Sequence, residues 1–111
     1  MNKIITWDKV LTRNFVGGYV ELVNKGVRYF GPISSIIAHE EEIKVSVLWL
    51  AQSDKTIWRK VVDSQVITFT RANQPQDIGR NQVHIPISVK AQYTFHPKGG
   101  VRFASLRVEG V

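Results

Sequence analysis

The chain has no cysteine among its 111 residues. That absence excludes disulfide scaffolds, cysteine zinc sites and thiol catalysis together, and it favours a cytoplasmic home. No apolar run approaches the roughly 20 residues of a membrane-spanning helix, and MNKIITWDK lacks the apolar core of a signal peptide. The expectation is a soluble cytoplasmic protein with no membrane partner. Three histidines, His39, His84 and His96, are too few and too scattered for a metal motif. His39-Glu40-Glu41-Glu42 has the start of a zinc-protease pattern, but Ile43 stands where the second histidine belongs. It reads as an acidic turn. A Gly-rich phosphate loop is missing, Gly17-Gly18 lacks the further glycines of a dinucleotide fingerprint, and Ser34-Ser35 lacks those of a nucleophile elbow. With no nucleophile, base, metal or cofactor signature, the sequence points away from an enzyme.

What is present is a basic excess, unevenly placed. Fifteen Lys and Arg against nine Asp and Glu give +6. Residues 71–111 hold six basic groups, Arg71, Arg80, Lys90, Lys98, Arg102 and Arg107, and only two acids, Asp77 and Glu109. Such a balance suits nucleic acid or another polyanion, and also serves solubility.

The length is that of one domain, residues 1–111, with a single modest core. Its patterning is mainly β. From Tyr19 to Val23 side chains alternate as a pleated strand requires. Asn24-Lys25-Gly26 supplies a hairpin turn, with Gly26 suited to positive φ. The second arm, Val27 to Phe30, is expected to stop at Gly31-Pro32, where proline lacks a ladder N–H. From Ile43 alternation resumes, with Val45, Val47, Trp49 and Ala51 sharing its face. Leu48 and Leu50 make the other face apolar, so this strand should be covered on both sides at its far end. Residues 57–62 (IWRKVV) and 65–70 (QVITFT) are further strands, with Trp58 expected to face inward.

The first sixteen residues carry the one helical pattern: Thr6 as cap, then Trp7, Val10, Leu11 and Asn14 at helical spacing, with Trp7 as anchor on the sheet. Arg71 to Gln82, polar and broken by Pro75 and Gly79, reads as the longest loop and a potential binding loop. The last third reads as a long hairpin. Val83 to Phe95 alternates, His96-Pro97-Lys98-Gly99-Gly100 turns, and Phe95 and Tyr93 should then face Val101 and Phe103. A parity shift calls for a β-bulge near Ala104 or Ser105.

The run GGYVELVNKGVRYFGPISSI resembles the opening of an SH3-like small β-barrel, over roughly residues 17–70. That resemblance implies a small barrel, or an open two-sheet sandwich of antiparallel strands, with one short N-terminal helix and a long C-terminal β-hairpin. Relatives of this architecture bind peptides, nucleic acids or proteins, and the fold selects none of them. The aromatic groove of signalling SH3 domains is not recognisable here.

Three functional expectations follow. The first is a non-enzymatic binding module without cofactor or metal, contacting nucleic acid through Arg71, Arg80, Lys90, Lys98, Arg102 and Arg107. The second is a structural or interaction protein, a homodimer, using apolar surface near Leu48, Trp49 and Leu50. The third is a small-ligand pocket between sheets, lined by Tyr29, Trp49 and Phe69.

Overall fold

The fold was obtained as a computed structural model, which describes residues 3–7, 13–54, 56–99, 103 and 105–111. Eleven strands run in chain order: β1 Lys3–Ile4, β2 Tyr19–Asn24, β3 Val27–Ala38, β4 Glu42–Val47, β5 Leu50–Asp54 and β6 Ile57–Val62, then β7 Gln65–Thr70, β8 Gln76–Gly79, β9 Gln82–Pro86, β10 Ala91–His96 and β11 Val108–Glu109. They form one large, mostly antiparallel sheet ordered β1-β8-β9-β10-β2-β3-β5-β6-β11, with β4 and β7 branching from β3. Among the described strands β11 and β6 make the one parallel pair.

The sheet is open, which corrects the closed-barrel alternative: β1 and β11 stand at its two ends and do not pair with each other. The expected N-terminal helix falls largely on residues 8–12, outside those described. Trp7, Arg13 and Asn14 on either side have helical backbone. Trp7 is a core anchor as the pattern implied. It is buried, lies 5.2 Å from the Phe69 ring, and donates Nε1–H to the Asn73 carbonyl at 3.0 Å.

The expected stop at Gly31-Pro32 does not occur. β3 continues through it and changes partners, pairing with β2 and β5 before the proline and with β4 after it. A bulge between Ile33 and Ser35 adds one residue against β4, so Ile33 and Ile36 both reach the main core although their spacing is odd. The facing chain breaks at Leu48-Trp49, splitting the single strand expected from Ile43 to Ala51 into β4 and β5. Leu50 and Ala51, adjacent in sequence, are both buried, one in each of two clusters. Coverage on both faces was legible there, whereas Leu48 turns out to solvent.

The main cluster gathers Val20, Ile33, Ile43, Val45, Val47, Ile67, Phe69, Val83, Ile85 and Phe95. A second one, on another face of β2, β3, β5 and β6, is built on Phe30, Ala51 and Phe103 with Tyr19, Trp49 and Trp58 around them. Phe103 stacks on Phe30 at 4.5 Å and meets the His96 ring at 4.8 Å. Trp58 is half-buried with its ring edge-on to Phe30 at 4.7 Å, so it packs inward, against this second cluster.

Phe103 in this position replaces the expected C-terminal hairpin. β10 pairs instead with β9 and β2, so Phe95 faces Val83 and Val20, and Tyr93 faces Ile85 and Leu22. The strand expected from Val83 to Phe95 ends at Pro86 and turns through residues 87–90, where the Ser88 hydroxyl accepts from the amides of Lys90 and Ala91. Proline and an ST-type turn outweigh the alternation of Ile87 and Val89, and Val89 is 96% exposed. Val101, Arg102 and Ala104 lie outside the described residues. No bulged strand forms at Ser105, since the Leu106 amide donates to the Phe103 carbonyl in a turn. The long loop expected from Arg71 to Gln82 contains β8, hydrogen-bonded into a hairpin with β9.

The partner change in β3 requires backbone contact at Gly31, where a Cβ would stand 1.9 Å from the Trp49 carbonyl oxygen. Gly31→Ala is expected to cost at least about 1–3 kcal/mol, the usual penalty for overpacking, seen as a lower urea midpoint. An unchanged midpoint would mean the two strands do not approach this closely.

Candidate polyanion-binding groove

Gly17 and Gly18 do not complete a dinucleotide fingerprint, but their lack of side chains has a structural use. Gly18 passes so close to the exit of β10 that a Cβ would fall 2.1 Å from the His96 carbonyl oxygen. At Gly17, with φ +89°, a Cβ would be 3.3 Å from the Lys98 stem. This approach lets the Lys98 amide donate to the Asn14 carbonyl at 2.8 Å. Segments more than eighty positions apart in the chain are thereby joined.

The β8–β9 turn closes the same corner. Gly79, Arg80 and Asn81 all have positive φ, at 90°, 57° and 58°, and the Gly79 amide donates to Asp77 Oδ1 at 2.9 Å. The result is an open groove of about 370 Å³ bounded by Arg13, Asn14, Asn81, Pro97 and Lys98. No acid lines it. Arg80 is the chain neighbour of Asn81 and is exposed. Side chains of Arg13, Arg80 and Lys98 have no hydrogen-bond or ion-pair partner among the described residues.

Three other basic groups are paired with carboxylates. Arg28 pairs with Glu21 at 2.9 Å, Arg59 with Glu109 at 3.4 Å, and Lys60 with Asp63 at 2.6 Å. The hydrogen bond and charge of Lys60 hold the Asp63 carboxyl below its ordinary value.

The six cations expected to contact a polyanion are distributed. Arg80 and Lys98 come to this corner. Arg71 donates to the Glu40 and His39 carbonyls, closing the acidic turn between β3 and β4. Lys90 sits at the opposite end of β10, a span of about 20 Å at ~3.3 Å per residue, in an open groove with Lys25, Val23 and Val89. Arg107 precedes β11, five strand positions from β10 along the sheet. Arg102 is outside the described residues. Arg13, Asn14 and Asn81 complete the groove without any local sequence signal, because only the fold brings them beside Lys98.

The three aromatics expected to line one pocket are also separated. Phe69 is in the main cluster, Trp49 packs on the second, and Tyr29 pairs across to Leu22 and Gln52. Of the residues proposed for self-association, Leu50 is buried, Trp49 is partly covered, and Leu48 is 57% exposed.

A second polar feature lies inside the fold. Glu21 and His96, only 8% and 3% exposed, are hydrogen-bonded at 3.0 Å between Oε1 and Nε2. Arg28 donates to the other carboxylate oxygen, and its guanidinium carbon lies 5.6 Å from the Trp58 ring centre. Both ends of the carboxylate are thus satisfied, and the His96 ring is covered by Phe103. This arrangement braces β2, β3 and β10. Among the described residues no cluster of His, Asp or Glu is placed to hold a metal, and no helix is long and apolar enough to cross a membrane.

Arg80 is costly where it stands, because a left-handed conformation strains a residue with a Cβ by about 1–2 kcal/mol. Arg80→Gly is expected to gain up to about 1 kcal/mol in urea unfolding, once glycine's greater unfolded-state entropy is set against that relief. A clear loss of stability would show that the arginine side chain supports the fold. No protein-family model, curated protein or solved structure matches this chain.

Proposed function

We propose that this chain is a non-enzymatic β-sheet binding module that holds a polyanion, in the first instance nucleic acid, in the groove between Arg13 and Lys98. One observation carries the reading. Two cations remote in sequence converge on a groove lined by Asn14 and Asn81, with no acid on its walls and no partner for either charge among the described residues. Elsewhere Arg28, Arg59 and Lys60 are neutralised by carboxylates. Unpaired cations beside amide side chains suit phosphate oxygens, which accept both charged and neutral hydrogen bonds. The strained Arg80 at the rim supports the same reading, since strain of this kind gathers at functional sites.

Two or three phosphate contacts give a slope of about −2 to −3 for log K against log salt, at ~0.9 per phosphate on duplex DNA. Binding to a labelled oligonucleotide should weaken with that slope. It should fall at least about tenfold in an Arg13→Ala, Lys98→Ala double variant and hold in Arg107→Ala. Affinity indifferent to salt, or equally reduced by both changes, would remove the groove from consideration.

A second reading, self-association, has its own observation. Exposed Leu48 and Val66 flank an open groove of about 400 Å³ whose other walls are Ser34, Ser46, Val47, Ser64 and Gln65. None of these described walls carries a charge. On this reading the 12.6 kDa chain has twice that mass in light scattering at high salt, and Leu48→Lys returns it to monomer. A monomer at all concentrations rejects it.

A further inference from the structure

The groove does not end at Asn14 and Asn81. Both residues also line a deeper recess of about 200 Å³, whose inner wall is Ile5, Phe15 and Val83. Phe15 and Val83 are buried members of the main cluster. Around this apolar wall stand three amide side chains, Asn14, Asn81 and Gln82, with Asp77 beside them. None of the three amides has a hydrogen-bond partner among the described residues. Asp77 gives Oδ1 to the Gly79 amide and keeps Oδ2 as an acceptor.

We infer that this recess receives the base of a phosphorylated nucleoside whose phosphate lies in the adjoining groove between Arg13 and Lys98. The inference rests on the polyanion reading above and adds the ligand's second half. An apolar wall with a few convergent polar groups is the usual make-up of a small-molecule site. At about 200 Å³ the recess is smaller than the ~300–1,000 Å³ of ordinary sites. It suits one planar ring system, not a sugar chain or a lipid tail.

Charge fixes the orientation. The only acid described in either cavity, Asp77, lines the recess and not the groove. Phosphate is thus repelled from the recess and attracted to the cations. A base edge offers the reverse match, because its ring and exocyclic N–H groups donate to Asp77 and to amide oxygens, and its ring nitrogens and carbonyls accept from amide NH₂ groups. Asn14 and Asn81, shared by both cavities, set the distance between the two halves. A base can enter only when unpaired, so the ligand is a single strand or a free nucleotide, and a duplex is excluded from the recess.

The test compares three probes of matched charge, inorganic polyphosphate, a single-stranded oligonucleotide and its duplex, on the wild-type chain and on a Gln82→Ala variant, which removes the one amide that lines the recess and not the groove. The single strand should bind at least about tenfold more tightly than polyphosphate. In the variant it should fall to the polyphosphate level while polyphosphate binding is unchanged. A second readout independent of the variant's folding is the side-chain amide resonance of Gln82, which lines the recess and not the groove and should shift with a nucleoside 5′-monophosphate and not with inorganic phosphate.

If the monophosphate also displaces the oligonucleotide, the ligand is a free or terminal nucleotide. If the strand binds in a Gln82-dependent way and the monophosphate does not compete, the ligand is a nucleotide within a strand. Equal affinity for strand and polyphosphate, with no effect of the variant and no amide shifts, overturns the base recess and leaves the cationic groove standing. If no probe binds at low salt, both fall.

Discussion

The closeness of Gly31 to the Trp49 carbonyl governs much of this fold. A strand has two faces and ordinarily serves one core per face. Here β3 serves both in succession, because it bends where a missing side chain lets the neighbouring backbone come within reach. The bend is shared. β3 changes partners around Gly31-Pro32, the chain beside it breaks at Leu48-Trp49, and the next one breaks at Asp63-Ser64. Three adjacent strands turning in step fold one half of the sheet over the other and enclose the main cluster, while β2, β3, β5 and β6 bury the second cluster beneath Phe103.

The second cluster explains why a basic protein carries a buried glutamate. Glu21, His96 and Arg28 lie on three successive strands, β2, β10 and β3, and their hydrogen bonds cross the sheet in the direction of its ladders. A buried carboxylate is tolerable only when fully paired, so this chain of contacts fixes which strands are neighbours at that level. It also holds the start of the turn at His96-Pro97 in place, and that turn presents Lys98. The groove therefore depends on a polar contact that takes no part in binding.

How much of this was legible in the sequence depended on range. Alternation in β2, the Lys25-Gly26 turn, Trp7 as an anchor and the burial of Leu50 and Ala51 follow from neighbouring residues, and all are present. Failures arose where local pattern met a long-range partner. Val83 to Phe95 alternates well enough to read as one strand, but Pro86 ends it, and β10 takes β2, some seventy residues away, as its second neighbour. Phe103 fitted a strand pairing with Tyr93, yet a ring stack on Phe30 fixes it. The β8 segment, QDIG, has too little apolar content to announce a strand. It becomes one because β9 and β1 supply ladders on both sides.

The candidate site shows the same division. Arg80 and Lys98 stood out as members of a basic third of the chain, since charge is readable without a fold. Their grouping was not readable, because a count of charges carries no information about which end of a strand each occupies. Lys90 and Lys98 flank β10 and so face different neighbours, while Arg13, from the acid-balanced first part of the chain, joins Lys98 through the Asn14 carbonyl. That join uses backbone alone: a Lys98 amide, an Asn14 carbonyl, and two glycines whose positions tolerate no Cβ at Gly18 and little at Gly17. Side chains at the groove are left without partners among the described residues, whereas those of Arg28, Arg59, Lys60 and Arg71 are consumed in holding strands and turns. Backbone contacts and glycine build this corner, and that economy is what leaves its cations and amides available to a ligand.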